Sequence, residues 1–290
     1  MSLLSVGSVI DQAWHHYTTH FLELMSISAW LLVIAILNIV SSLLAPDTLQ
    51  FSAGAGALSA GNITGIIIYG ITFLLLAPIV SIWVSNRLIK RTDEQLAGKP
   101  LNWGSLNQFG WHYFFPRLLV GIMAALLLIA PLLLLAPGGA LIGLASVTHS
   151  TAVSLLGMLL TFFGVIAAGV GCIYVAIKIF FTPFTLLLEN QRGRAAVKAS
   201  AALTRGRWWA TFFRVAIPSV VFYIGVFTIQ LVLLFVLRTV ILSVAGLNVT
   251  FAIQLYAIGS STLFIVLNTL MAPLVVSVNT IVFRNLQSSR

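Results

Sequence analysis

Six continuous apolar runs are the feature that most constrains the fold of this chain, at residues 24–45, 63–86, 118–136, 151–188, 215–237 and 251–283. A helix needs roughly 20 residues to cross the hydrocarbon core of a bilayer, and these runs reach that length. Backbone amides in hydrocarbon need internal partners, which leaves only helices or closed barrels, and continuous apolar runs exclude the alternating pattern of a barrel. The sequence therefore predicts an all-α, polytopic membrane protein with six transmembrane helices.

The chain has too little polar sequence for a separate soluble domain. Hydrophobic residues make up 60% of it and charged residues 7%, whereas a soluble domain needs a far more polar surface. The segment 46–62 between the first two runs is rich in Gly, Ala and Ser, and we expect a flexible external connection there. Residues 1–290 are thus predicted to form a single integral membrane domain.

Basic residues are distributed unequally between the loops of this layout. Of the fifteen Lys and Arg residues, only Arg238 falls on one side; thirteen follow the second, fourth and sixth runs, and Lys178 stands near the end of the fourth. Because basic loops stay in the cytoplasm, the asymmetry predicts that the N and C termini are both cytoplasmic. Tryptophan favours the same orientation, since most indoles lie near the predicted cytoplasmic boundaries, the depth that these rings prefer.

A repeat indicates how the six helices are grouped. At an offset of 97 residues, Gly7, Ser8, Val9, Trp14, His15 and Tyr17 align with Gly104, Ser105, Leu106, Trp111, His112 and Phe114. The even-numbered runs contain Pro78, Pro183 and Pro273, each followed at a similar distance by an arginine. Both patterns predict three hairpins, each preceded by a short cytoplasmic interfacial helix, in units of about 1–90, 100–192 and 193–290. The prolines are expected to kink their helices, although proline is also generally common in membrane helices.

The first interfacial helix is predicted to be amphipathic. On a helical wheel its apolar arc contains Leu3, Val6, Ile10, Ala13, Trp14, Tyr17, Phe21 and Leu24. Such a helix lies in the membrane interface or packs beneath the bundle. Near its end, His16, His20 and Glu23 have the i, i+4, i+7 spacing that could hold a metal, but ordinary polar positions on an interfacial helix explain them better. We therefore predict no metal site.

Signatures of catalysis are missing from the sequence. It contains no HExxH, Walker A or GxSxG motif, and no pair of carboxylates inside the apolar runs. The sequence therefore predicts a protein that is not an enzyme and has no cofactor. Its basic residues are dispersed along membrane boundaries, which makes nucleic acid a poor partner.

One lysine is predicted to lie within an apolar run. If the fourth run continues through Pro183, Lys178 stands inside it, and an ionisable group at that depth is costly and suggests a functional site. Asn268 lies five residues before Pro273, as Lys178 does before Pro183. We expect Lys178 to point into the bundle toward polar groups or water. The alternative is that its stem extends to the headgroups.

The region after the fourth run carries a recognisable motif. Its residues are Lys178, Pro183, Glu189, Gly193, Ala196, Ser200, Leu203, Thr204, Gly206 and Trp208. This string resembles the recurring stretch of the glycerophosphodiester phosphodiesterase membrane-domain family and of the YciC-like inner-membrane proteins. The resemblance implies a bacterial cytoplasmic (inner) membrane location. It does not carry enzyme activity over, because catalysis in the fused phosphodiesterases belongs to a separate soluble barrel.

The same region is strongly basic. Its candidate lipid-headgroup residues are Arg192, Arg194, Lys198, Arg205, Arg207, Trp208 and Trp209. Such a cluster attracts anionic lipid, although any multi-pass protein also needs basic loops to set its topology. Two hypotheses follow. The first is a non-enzymatic envelope or lipid-associated scaffold whose partners are membrane lipids, and the second is a transporter with a site between the hairpins near Lys178 and Asn268.

Overall fold

The computed structural model describes residues 3–44, 60–244 and 249–289, and most of the predicted loop 46–62 lies outside them. Within the described residues the chain is helical and contains no strand. The helices, numbered in chain order, are α1 (Val6–Thr19), α2 (Phe21–Ser28), α3 (Leu32–Leu44), α4 (Ala60–Ile71), α5 (Ala77–Leu96), α6 (Trp103–His112), α7 (Phe114–Ile129), α8 (Ala136–Thr148), α9 (Thr151–Ile179), α10 (Thr182–Leu188), α11 (Arg194–Thr204), α12 (Trp208–Val244) and α13 (Val249–Ser288). Two 3-10 segments, Ala29–Leu31 and Ala130–Leu135, and one π-helical turn, Thr72–Leu76, join some of them.

In the part of the chain that the structure describes, six helical stretches are long and apolar enough to cross a membrane, at Phe21–Leu44, Ala60–Leu96, Phe114–Thr148, Thr151–Leu188, Trp208–Ser243 and Phe251–Ser288. This confirms the prediction of an all-α polytopic membrane protein. The third stretch extends well beyond the predicted run 118–136. Pro137 does not end it, because this proline occupies the first turn of α8, where a missing N–H removes no helical hydrogen bond.

The three prolines of the even-numbered runs have different effects on their helices. Pro78 follows a π-helical turn and lies in the first turn of α5. Pro183 lies in the first turn of α10, after a short break that follows α9. Pro273 lies inside α13, which continues through it. An interruption in helix type thus accompanies Pro78 and Pro183 but not Pro273.

A short helix precedes each pair of long helices, as the repeat predicts. Ser5 caps α1 by accepting a hydrogen bond from the Ser8 amide, and Asn102 caps α6 by accepting one from the Ser105 amide. These caps stand 97 residues apart, the offset of the sequence repeat. The repeat in sequence therefore encodes the same start of a helix twice. The division of the whole chain into three units stays a prediction.

Burial follows the same repeat. The aligned pairs Val9 and Leu106, Ala13 and Gly110, and Tyr17 and Phe114 are all buried, whereas Trp14 and Trp111 are 52% and 51% exposed. The buried face of α1 consists of Val9, Ala13, His16 and Tyr17. The predicted apolar arc includes the exposed Trp14 and leaves out the buried His16, so it does not coincide with the packed face of the helix. The Tyr17 hydroxyl donates to the Leu270 carbonyl at 3.1 Å, which fixes the rotation of the helix.

The chain divides into two compact units, each described separately. Unit A comprises Leu4–Phe114 and Arg214–Val282, and unit B comprises Met1–Leu3, Phe115–Phe213 and Phe283–Arg290. The core of unit A joins α1, α2, α5, α6 and α13 through Tyr17, Leu24, Ile27, Val84, Leu88, Leu106, Met271 and Leu274. In unit B, a Cβ atom on Gly164 of α9 would lie 2.8 Å from the Leu134 carbonyl oxygen. Glycine therefore allows α9 to approach the preceding helical segment closely, as small residues do in membrane helices.

Candidate functional site

The basic region of unit B is a short helix held between two glycines. Gly193 precedes α11 and Gly206 follows it, with φ values of +52° and +74°. Both values lie in the left-handed region, which glycine adopts without the steric cost that a Cβ atom brings. The buried face of α11 consists of Ala196, Ser200 and Leu203 with Thr204. The other side chains of α11 point away from this buried face.

Side-chain hydrogen bonds attach α11 to the helices before it. The Ser200 hydroxyl donates to the Lys178 carbonyl at 2.8 Å, and the Thr185 hydroxyl donates to the Ala196 carbonyl at 2.9 Å. Ser200 and Thr185 are fully buried. A buried hydrogen bond of this kind contributes about 1 kcal/mol, and leaving either carbonyl unsatisfied costs more. These bonds fix which face of α11 is packed and which is open.

Five exposed cations lie on α11 and in the turns beside it, hereafter the basic strip: Arg192, Arg194, Lys198, Arg205 and Arg207. Among the described residues, none of the five forms an ion pair. Arg207 donates to the Ser289 hydroxyl at 2.6 Å, and Glu189 accepts a hydrogen bond from Gln287. Trp209 is 65% exposed beside the strip. The Trp208 indole donates to the Tyr174 carbonyl at 3.3 Å and is half-buried.

Lys178 and Asn268, the predicted intramembrane polar site, lie in different units. In unit B, the Lys178 amine lies 4.2 Å from the centroid of the Tyr174 ring, and Tyr174 is 47% exposed. In unit A, the Asn268 amide donates to the Phe264 carbonyl of its own helix at 2.7 Å. Each side chain therefore has a local contact of its own, and the direction predicted for Lys178 stays a prediction.

His16, His20 and Glu23, the metal candidate of the sequence, make other contacts in unit A. The Glu23 Oε2 atom accepts hydrogen bonds from Arg91 Nη2 at 2.6 Å, Arg91 Nε at 3.0 Å and Gln95 Nε2 at 2.9 Å. The His16 and His20 rings lie 4.8 Å apart. No group of three metal-binding side chains occurs within the described part of the chain. The Glu23 carboxylate thus serves as the counter-ion of a buried arginine.

A cavity of about 660 Å³ in unit A contains a second group of aromatic and basic residues. Trp30, Trp83, Trp103 and Trp111 line it together with Arg87 and Asn107. Sequence reasoning placed these indoles at a membrane boundary and counted Arg87 as a loop charge, but it did not bring them together. A usable signal was present, because Trp103, Asn107 and Trp111 recur every four residues and so share one face of α6.

Close packing of α5 against α6 shapes this cavity. The buried Asn86 side chain donates to the Gly110 carbonyl at 3.2 Å. A Cβ atom on Gly110 would lie 3.0 Å from both Arg87 Cγ and Trp83 Cδ1. A glycine at this position therefore lets the Trp83 and Arg87 side chains lie flat against α6. Trp83 also contacts Trp30 edge-on, at a ring separation of 5.6 Å.

Comparisons with known proteins do not place the chain in a family. No family model, curated protein or solved structure matches it.

The structure gives the residues of the unit B motif physical roles. Gly193 and Gly206 form the turns on either side of α11, and Ala196, Ser200, Leu203 and Thr204 form its packed face. Pro183 starts α10, and Trp208 starts α12. The motif therefore specifies how the short helix α11 docks against the helices of the fourth apolar stretch. The exposed cations are interspersed among these packing positions.

Proposed function

We propose that this integral membrane protein is a non-catalytic, lipid-associated scaffold of the bacterial inner membrane that gathers anionic phospholipid at its cytoplasmic face. The observation that carries the proposal is the basic strip, with five exposed cations on one docked segment and no ion pair among the described residues. Membership of the glycerophosphodiester phosphodiesterase membrane-domain and YciC-like family is part of the same proposal and rests on the motif that docks α11.

Electrostatics supports this use of the strip. A cation beside the membrane gains about 1 kcal/mol from the anionic lipid of the cytoplasmic leaflet, so five cations together attract lipid strongly. The exposed indole of Trp209 suits the headgroup region next to them. Because the packed face of α11 is fixed by buried hydrogen bonds, Arg194 and Lys198 are held on its open side.

Transport has weaker support among the described residues. The polar groups proposed for a transport site were the Lys178 amine and the Asn268 amide. The first lies against an exposed tyrosine ring and the second bonds to its own helix. Neither contact indicates the polar cavity that a transporter needs at the middle of a membrane.

Titration of phosphatidylglycerol into the protein in mixed micelles, followed by native mass spectrometry, tests the proposal. The double variant Arg194→Gln/Lys198→Gln removes two cations of the strip and leaves the packed face of α11 intact. We expect it to bind anionic lipid at least about tenfold more weakly, since each cation contributes about 1 kcal/mol. High salt should weaken binding to the wild-type strip in the same way.

A matched control removes the same charge elsewhere. Lys99→Gln/Arg238→Gln changes two exposed cations outside the strip and should leave the affinity unchanged. If both double variants retain phosphatidylglycerol as the wild type does, the strip serves only to set topology and the proposed function is overturned.

A further inference from the structure

The cavity of unit A contains a buried positive charge that has no counter-ion among the residues that the structure describes. Arg87 is 5% exposed and lines the cavity. Among the described residues its guanidinium forms no hydrogen bond and no ion pair, and its Nε atom is buried without a partner. The chain has six Asp and Glu residues, and none of the five that the structure describes pairs with it. A counter-ion for Arg87 is therefore not supplied by the described part of the chain.

Arg91 on the same helix shows how this protein treats a buried arginine that it neutralises itself. Arg91 is 4% exposed and lies one turn beyond Arg87 on α5. It donates two hydrogen bonds to Glu23 Oε2 and one to the Lys99 carbonyl. The fold thus supplies a carboxylate to one arginine and leaves the next, equally buried, facing a cavity.

Aromatic contacts alone do not offset the burial of Arg87. Its Cζ atom lies 4.3 Å from the centroid of the Trp83 ring and 5.7 Å from that of Trp103. Cation–π contacts attract the guanidinium but accept none of its N–H hydrogen bonds in the plane of the group. Removing a charged group from water is costly, and an anion that accepts hydrogen bonds from the guanidinium compensates for this cost.

The Trp83 ring lines the same cavity, but its nitrogen faces α6. The Nε1 atom is buried 3.0 Å from the position of a Cβ atom on Gly110 and has no hydrogen-bond acceptor among the described residues. The Arg87 guanidinium is therefore the donor group that a ligand in the cavity would meet. A buried cation beside a cavity indicates a ligand rich in oxygen acceptors and negative charge.

We infer that this cavity binds the phosphate group of an anionic phospholipid, with the Arg87 guanidinium donating to the phosphate oxygens. Arginine offers its donors in a planar arrangement that suits phosphate. The half-exposed indoles of Trp30, Trp103 and Trp111 line the open part of the cavity. They provide apolar surface for the glycerol and the first methylene groups of the acyl chains. The volume of about 660 Å³ is within the range of small-molecule sites.

This site is separate from the basic strip, which lies in unit B, and does not depend on it. The site is expected to bind one lipid, and this binding should persist in high salt, because the charge of Arg87 is buried and poorly screened. The strip, in contrast, should bind several lipids that are lost in high salt. The same titration can therefore tell the two apart.

The experiment is a titration of the full-length protein with phosphatidylglycerol in neutral detergent at high salt, monitored by native mass spectrometry. Diacylglycerol and glycerol 3-phosphate are titrated in parallel, so that the acyl and phosphate parts are tested separately. We expect one phosphatidylglycerol to remain bound to the wild type and diacylglycerol to bind at least about tenfold more weakly. If glycerol 3-phosphate binds as tightly as the lipid, the phosphate site is supported but its ligand is a soluble phosphate ester and the lipid assignment is overturned.

Variants identify the residues that carry the binding. Arg87→Met removes the donors and keeps an unbranched stem against Gly110, and it should reduce the affinity at least about tenfold. If that variant does not fold, Asn107→Asp provides the test, because it places a carboxylate on an exposed residue of the cavity wall that would repel the phosphate. Gln108→Glu adds the same charge on an exposed neighbour that does not line the cavity, and it should bind normally.

The strip variant Arg194→Gln/Lys198→Gln should keep the single salt-resistant lipid. Retention of that lipid by Arg87→Met, or by Asn107→Asp, would overturn the inference whatever the behaviour of the strip. Loss of the lipid in Gln108→Glu as well would show that only net charge matters, and it would also overturn it.

Discussion

Arg87 and Arg91 lie one turn apart on α5 and are equally buried, but only Arg91 has a carboxylate partner among the described residues. The difference comes from the neighbouring segments. Glu23 of α2 reaches Arg91, whereas Arg87 meets the rings of Trp83 and Trp103. One arginine therefore stabilises the packing of α2 on α5, and the other is available to an anion.

Removing the carboxylate partner of Arg91 should destabilise unit A. Glu23→Gln leaves a buried guanidinium without its counter-ion, which costs several kcal/mol at a fully buried pair. Because the Glu23 side chain is 38% exposed, we expect a smaller loss, on the order of 2 kcal/mol. Thermal unfolding of the purified protein in detergent measures it.

The control for this variant is Glu94→Gln. Glu94 pairs with Lys90 at 3.5 Å on the surface of α5, and such pairs contribute less than about 1 kcal/mol. Equal melting temperatures for Glu23→Gln and Glu94→Gln would contradict the structural role of the Arg91 pair.

Acidification should loosen α1 through His16. Burial, together with the nearby His20, Arg91 and His15, lowers the pKa of His16 from 6.5 to about 4, while a contact with Gln95 opposes the shift. Between pH 4 and pH 6.5, His16 is therefore mostly protonated in the unfolded chain and mostly neutral in the folded protein. The stabilisation is complete above pH 6.5 and is lost as the pH falls toward 4, by about 1–2 kcal/mol between pH 7 and pH 5.

Hydrogen exchange of the α1 amides at pH 7 and pH 5 measures this effect. His16→Gln removes the titrating group and keeps a polar side chain, so the part of the pH dependence that comes from His16 should disappear. An unchanged pH dependence in the variant would show that other groups cause it.

A side chain at Gly110 should disturb the cavity of unit A. The Cβ atom of Gly110→Ala would approach Trp83 and Arg87 to 3.0 Å, so these buried side chains must shift. We expect a net loss of about 1 kcal/mol, because overpacking outweighs the gain in helix propensity. Thermal unfolding and the emission of the cavity tryptophans report the change.

Gly104→Ala is the matched control on the same helix. The nearest atom to its added Cβ would be Asn102 Oδ1 at 3.5 Å, an ordinary contact. This variant should be neutral or slightly stabilised. A melting temperature for Gly110→Ala at or above that of Gly104→Ala would contradict the close packing of α5 and α6.

The predicted membrane orientation can be tested by labelling cysteines from one side. In a Cys172→Ser background, His149→Cys lies in the turn between α8 and α9, and Lys198→Cys lies on the open face of α11. The positive-inside rule predicts that an impermeant maleimide labels position 149 from outside the cell. Position 198 should react only after the membrane is opened. The reverse labelling pattern would show that the protein has the opposite orientation to the one proposed.

Much of the fold could be predicted from local sequence. The six apolar stretches, the short helix before each hairpin and the shared caps at Ser5 and Asn102 depend on nearby residues, so their patterns are visible in the sequence. The face of α1 could not be predicted, because Tyr17 bonds to a carbonyl 253 positions away. The partner of Glu23 could not be predicted for a similar reason, since the arginine that it binds lies 68 positions away.

The sequence by itself determined that the chain crosses a membrane, because hydrocarbon admits only backbones whose hydrogen bonds are satisfied internally and these apolar runs form helices. It also placed basic residues and tryptophans near the ends of those runs. Only the tertiary structure decided which cations are exposed, which are neutralised and which face a cavity. Burial and pairing depend on how distant helices pack, and Trp30, Arg87 and Trp103 become neighbours only when α5 and α6 meet beside the first membrane stretch.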